Sequence, residues 1–170
     1  GKSWLSVPVR HQSDQLIRDV TIVDDGWRIK HLRTLKQELS AAFEVVVDLY
    51  TRNWERLADM NIAMAERMAT AVGLPATRKR SSELNAPDSG WRKLLHLCQQ
   101  LGATTYITGH GARNYFDHET FEHHGVEVLY LDYDLSPYPQ PHGAFDPYVT
   151  ALDVLAHASD PLMHINAQLV

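Results

Sequence analysis

Thr104-Thr-Tyr-Ile-Thr-Gly-His-Gly-Ala-Arg-Asn-Tyr-Phe-Asp117 decides how this chain is read. Its opening residues, Thr104 to Thr108, are β-branched or aromatic and suit a buried strand, and a helical pattern starts at Tyr115. Gly109-His110-Gly111-Ala112-Arg113 is then a short strand-to-helix turn carrying two glycines. Such a turn can bring backbone N–H groups up to an anion at a helix N-terminus, with Arg113 adding a fork of donors. Two readings stay open. The turn is a ligand-binding loop, or it is βα punctuation whose glycines only relieve positive-φ strain, because the full dinucleotide and P-loop fingerprints are absent.

Working outward, a helix from about Tyr115 to His124 closes at Gly125, and Val126 to Tyr133 repeats the strand pattern. Upstream, Trp91, Leu94, Leu95, Leu97, Cys98 and Leu101 make a helix closed by Gly102, and Thr77 to Leu84 is a polar strand candidate before it. Strand and helix alternating over about residues 76–158 predict an α/β fold with a mostly parallel, Rossmann-like sheet flanked by helices. Ligands bind off the carboxyl ends of such strands. That rule gathers Ser81-Ser82-Glu83, the turn from Thr108 to Arg113, and Tyr133-Asp134 at one edge.

Residues 27–74 read instead as an α-rich arm or insertion. Trp4 to Val9 and Val20 to Val23 are short β-rich runs that can pair as a hairpin. Asp24-Asp25-Gly26 is a turn, after which Trp27, His31, Leu32, Leu35 and Leu39 fall at helical spacing, with Lys30 and His31 either facing a site or simply solvated and packed. Leu49 to Val72 carries a Met-rich stripe suited to core packing, broken near Tyr50 to Asn53 and stopped by Gly73 and Pro75. Beyond the sheet, Ser136-Pro-Tyr-Pro-Gln-Pro-His-Gly143 is a rigid loop. Asp146-Pro147 is expected to start a helix in which Asp153 stands on an apolar face. A carboxylate there needs a partner or belongs to a site. No pattern is evident from Ser159 to Val170.

At 170 residues, 44% hydrophobic and 22% charged, the chain suits one soluble domain over residues 1–170. A formal charge of −5, with no basic block longer than Arg78-Lys79-Arg80, argues against general nucleic-acid binding. The single cysteine, Cys98, excludes an intrachain disulfide and reads as a core thiol. With no long apolar run and no signal-peptide pattern, no membrane segment and a cytoplasmic location are expected. A strand so near the first residue suggests that the chain lacks its natural beginning. Among ten histidines, His118-Glu119-Thr-Phe-Glu122-His123-His124 misses the HExxH register, so no metal site is assigned, although a zinc site built from distant histidines stays open. Neither a GxSxG elbow nor a Cys/His nucleophile pattern is present.

Thr105 to Asp117, Phe121 to Val128 with its Gly-Val-Glu-Val, Tyr138-Pro-Gln140, Phe145-Asp-Pro147 and Thr150-Ala-Leu-Asp-Val-Leu155 together resemble the C-terminal half of the WbqC-like family. Trp4 to Val9, Trp27 with Lys30-His31, and Ser81-Ser82-Glu83-Leu84 are similar to its earlier blocks. The family's upstream His-Gln-Pro segment has no counterpart, and Thr150 and Ala156-His157 depart from its usual Ser and Phe-Asn. The resemblance implies a bacterial protein of O-antigen, surface-polysaccharide or natural-product pathways, transferring an acyl, aminoacyl or sugar-related group from an activated intermediate. It implies no particular cofactor.

The residues and the resemblance together nominate His110 as general base, since its ordinary pKa lies near neutrality, and Asp153 as a second catalytic candidate. Gly109, Gly111 and Arg113 are expected to hold phosphate or carboxylate. Ser82, Tyr115, Tyr133 and Gln140 are further ligand-binding candidates for a small activated sugar or acyl substrate. The competing reading is a non-catalytic module that binds a nucleotide-sugar or a partner protein.

Overall fold

The computed structural model of the protein describes residues 2–74, 77–133, 135–165 and 167–170. Pro75 and Asp134, both used in the sequence reading, lie outside the described residues. In chain order the elements are β1 (Val9–Arg10), β2 (Thr21–Ile22), α1 (Trp27–Glu38), α2 (Ser40–Thr51), α3 (Leu57–Ala71), α4 (Gly90–Gln100), β3 (Thr105–Gly109), α5 (His118–His123), β4 (Glu127–Tyr133), α6 (Ala151–His157) and β5 (Ala167–Leu169). They fall into two units: Gly1–Pro75 with Leu135–His164, and Ala76–Asp134 with Ile165–Val170.

The first unit is helical. Gly26 takes a left-handed φ of 82°, and Asp25 Oδ1 accepts the Trp27 N–H at 3.1 Å, so α1 starts where the Asp-Asp-Gly turn predicts. Trp27, His31 and Leu35 form its buried stripe and pack with Ala42, Val46 and Tyr50 of α2 and Met60 of α3. The break between α2 and α3 is held by Trp54, whose indole N–H donates to the Leu49 carbonyl at 2.6 Å. Arg67 forks onto both oxygens of Asp48 at 2.7 and 2.9 Å and also donates to the Val45 carbonyl, tying α3 to α2. Those hydrogen bonds hold the Asp48 carboxyl below its ordinary range. Met64 and Met68 pack against the same core, as the stripe implied.

Two expectations are corrected here. The strand expected from Trp4 is only Val9–Arg10, paired antiparallel with Thr21–Ile22, and Trp4 itself is exposed. The helix expected from Asp146 starts at Ala151, where the Thr150 hydroxyl accepts the Leu152 N–H. Asp146 Oδ1 instead takes the Tyr148 N–H at 2.8 Å, a local turn that competes with helix formation. Leu152 of α6 then joins the Trp27 core.

The second unit carries a three-stranded sheet in the order β3-β4-β5. β3 and β4 are parallel, with Thr108 opposite Tyr130 and Gly109 opposite Leu131, as the βαβ reading requires. β5, which no pattern announced, pairs antiparallel with β4. The α/β class therefore stands, but the sheet is small and mixed rather than a large, mostly parallel Rossmann-like one. Thr77 to Leu84 is not a strand: Ser81–Glu83 forms a single 3-10 turn, and its exposed polar residues offer no face to bury. The helix expected from Tyr115 begins only at His118, because Asp117 caps it by accepting the Thr120 N–H at 3.1 Å. Gly102 and Gly125 close α4 and α5 with φ of 63° and 71°.

Beneath this sheet Leu95, Cys98, Phe116, Phe121, Val126 and Tyr130 share one core, and burial pushes the Cys98 thiol up from its ordinary pKa. No helix among the described residues is long and apolar enough to cross a membrane. Phe121 is fully buried and packs on Phe116 at 4.5 Å between ring centroids. Phe121→Ala is expected to destabilise the protein by about 3–5 kcal/mol in a denaturant melt, the usual range for an emptied aromatic site.

Candidate functional site

The residues singled out in the sequence separate between the two units. In the sheet unit, β3 ends at Gly109 and the chain passes directly into a single 3-10 turn, His110–Ala112, with Arg113 as its C-cap. Residues three apart in such a turn line up. His110 and Arg113 accordingly reach the same side chain, Tyr130, which the parallel register sets opposite Thr108. The His110 ring lies nearly parallel to that of Tyr130 at 5.6 Å between centroids, and Arg113 Cζ stands 4.7 Å from the ring centre, a cation–π distance. Tyr130 is buried, and its hydroxyl is 2.6 Å from His118 Nε2. The phenol is thus fixed at both its face and its oxygen.

Asp132, two residues along β4 and so on the same face as Tyr130, brings Oδ1 to 4.0 Å from His110 Nε2. Both side chains are largely exposed, so this is a loose pair that solvent screens. The two glycines need a different explanation from φ strain. Gly109 has φ −86° and neither Gly109 nor Gly111 is left-handed, and a Cβ built on either would meet nothing within 4 Å. Among the described residues, neither backbone conformation nor packing asks for glycine here. What glycine leaves is bare backbone facing open space. The helix that follows the turn, α5, is short, and its cap is taken by Asp117. Any anion here would be held by Arg113 and local amides rather than by a helix dipole.

The other candidates of this unit do not converge on it. Alternation along β4 sets Tyr133 on the face opposite Tyr130 and Asp132. Tyr115 is exposed, and Ser82 sits in the exposed 3-10 turn, so the strand-end argument that gathered it no longer applies. A shallow pocket bordered by Asp88, Trp91, Arg92 and His96 is lined by none of these residues. His118, Tyr130 and Asp132 were not picked out as site residues. The observed register brings Tyr130 and Asp132 beside the turn, and α5 brings His118 to the Tyr130 hydroxyl.

The helical unit holds the second set. Asp153 Oδ2 accepts hydrogen bonds from the Tyr138 hydroxyl at 2.7 Å and from Gln140 Nε2 at 2.9 Å. Gln140 is fixed in turn by the Asp146 backbone, donating to its carbonyl at 3.1 Å and accepting its N–H at 2.9 Å. Asp153 Oδ1 lies 3.3 Å from His157 Nδ1, within ion-pair distance, although that nitrogen has no hydrogen-bond partner among the described residues. Asp153 therefore has the partners that its place on α6 demanded. Burial, and then the bond to Asp153, push the Tyr138 phenol up to about 12. His31 lies in the core, edge-on to Trp27 at 4.9 Å and to Tyr50 at 5.8 Å, rather than in an open site. Burial lowers its pKa, against the effect of a backbone hydrogen bond with Ser6. Among the described residues no three His, Cys, Asp or Glu side chains are grouped so as to hold a metal ion.

Tyr138 yields a pH test. Its folded pKa lies above the unfolded value, so the folded state holds this proton more tightly. The associated stability is complete below about pH 10 and is lost as pH rises toward about 12. Subtracting the alkaline absorbance titration of Tyr138→Phe from that of the wild type should isolate one tyrosinate appearing near pH 12. An ordinary titration near pH 10 would contradict the buried bond.

Comparison with known proteins gives a consistent result. The sequence model of the WbqC-like protein family matches residues 1–165. The chain is 30% identical over 165 residues to the uncharacterized protein Rv1507c of Mycobacterium tuberculosis (strain ATCC 25618 / H37Rv), a match covering 91% of this chain and 71% of that one. No solved structure gives a significant match.

Proposed function

The chain belongs to the WbqC-like protein family, and from that premise we propose that it is a group transferase acting on an activated sugar or acyl intermediate in O-antigen, surface-polysaccharide or natural-product biosynthesis. The observation that carries this reading is the exposed His110 imidazole stacked on buried Tyr130, with Arg113 on the same ring and glycine backbone that no packing among the described residues requires. An anchored but accessible imidazole suits general-base work. Arg113, with the amides of Gly109 and Gly111, would hold the phosphate or carboxylate of the donor. The stacking of His110 and Arg113 on Tyr130 limits the conformational freedom each would lose on binding.

In this reading His110 Nε2 takes the proton of the incoming hydroxyl or amine as its oxygen or nitrogen bonds to the transferred carbon. The donor's carbon–oxygen bond breaks with its electron pair staying on the leaving phosphate, whose charge Arg113 neutralises. Tyr115, exposed close to the turn in sequence, offers a surface for a sugar or base. Ser82, Tyr133, Gln140 and Asp153 have no assigned part in this step. The competing reading, a binding module without chemistry, is favoured by one observation: Asp153, the other catalytic candidate, is engaged in hydrogen bonds within its own unit.

The two readings separate in a binding and product assay against a panel of nucleotide sugars and acyl adenylates. His110→Ala should lower turnover by about 10²–10⁴-fold with little change in affinity. Arg113→Ala should weaken binding by about 1.5–3 kcal/mol, the worth of a charge-assisted hydrogen bond. Undiminished turnover in His110→Ala would remove the base assignment, and tight binding without product in the wild type would establish the module.

A further inference from the structure

We propose that His157 and Asp153 form a proton-accepting dyad in the helical unit, independent of the turn at His110, and that it deprotonates a hydroxyl or a protonated primary amine brought to His157 Nε2. Four observations carry it. The two residues stand one helical turn apart on α6, with Nδ1 and Oδ1 separated by 3.3 Å. His157 Nδ1 is buried and has no hydrogen-bond partner among the described residues, so Asp153 Oδ1 is the acceptor within its reach. Asp153 cannot easily turn away, because Tyr138 and Gln140 hold Oδ2 at 2.7 and 2.9 Å, and Gln140 is itself locked on the Asp146 backbone. Both side chains nevertheless keep some exposure, 20% for His157 and 17% for Asp153. The site is neither sealed nor fully wet.

The final ring torsion of histidine is broad, so a small rotation brings the Nδ1–H onto Oδ1. With Nδ1 carrying the proton, the lone pair is left on Nε2. The step is then a simple transfer: the O–H or N–H bond breaks, its electron pair stays on the heteroatom, and the proton joins Nε2. The resulting imidazolium lies beside the Asp153 carboxylate, which stabilises it. Asp153 is a positioning residue in this scheme, and Tyr138 and Gln140 orient it in turn. An i,i+4 pair that never closes this hydrogen bond would have no such preference of tautomer and no enhanced Nε2 reactivity.

Two measurements on the full chain test the dyad. Long-range proton–nitrogen correlation of the histidine rings should show neutral His157 with its proton on Nδ1; a proton on Nε2 would overturn the proposal. Diethyl pyrocarbonate, which acylates unprotonated ring nitrogen and releases ethanol and carbon dioxide, is the reactivity probe, with sites and rates read by mass spectrometry. In folded Asp153→Asn the His157 rate should drop by about tenfold. His123 and His124 should be unchanged, since their Nδ1 atoms contact carbonyls of their own helix at 2.8 and 2.7 Å. An equal His157 rate in wild type and folded Asp153→Asn would refute the dyad. If that variant does not fold, the tautomer in the wild type decides alone.

Discussion

Tyr130 is the side chain on which the sheet unit's chemistry depends. Parallel pairing of β3 with β4 sets it opposite Thr108, one residue before the glycine turn begins. Its burial is possible because the hydroxyl meets His118 and the ring packs in the Phe121 core. Two polar groups of the turn, the His110 imidazole and the Arg113 guanidinium, then have an aromatic surface to rest on. Without that surface they would be freely rotating exposed side chains, and ordering them on binding would cost side-chain entropy. A packing decision in the core thus sets the geometry of an exposed site.

The part of this legible in the sequence is the part governed by local rules. Thr104 to Thr108 and Val126 to Tyr133 are β-branched or apolar runs separated by a glycine turn and a helix, and they do form parallel neighbours. The helix around Trp91 and its glycine stop were equally plain, because amphipathic spacing and a left-handed C′ residue are both local. Strand pairing at a distance and short-range side-chain bonds decided the rest. Three residues, Ala167–Leu169, become a strand only because β4 has a free edge for them. Asp117 and Asp146 redirect two helix starts through side-chain bonds to nearby amides, a competition that periodicity does not record.

The site divides in the same way. His110 and Arg113 could be named because a glycine-flanked turn at a strand end exposes what it carries. Tyr130 and Asp132 could not, since strand register, not spacing, brings them beside the turn, and His118 reaches Tyr130 only through the packing of α5. In the helical unit, Gln140 and Asp153 were each noticed for separate reasons, and their direct bond makes them one network with Tyr138. Asp153 on an otherwise apolar helix did signal a required partner. That signal did not name Tyr138 or Gln140, because both come from a proline-rich loop whose course depends on tertiary contacts.

The most direct test of the central claim, that the turn from Gly109 to Arg113 receives an anionic group, is a titration of isotope-labelled protein with inorganic pyrophosphate, following backbone amide signals. The account predicts saturable shifts at Gly109, Gly111 and Arg113, weakened by added salt and lost in Arg113→Ala. Unmoved amides at the turn, or shifts that persist undiminished in Arg113→Ala, would contradict it.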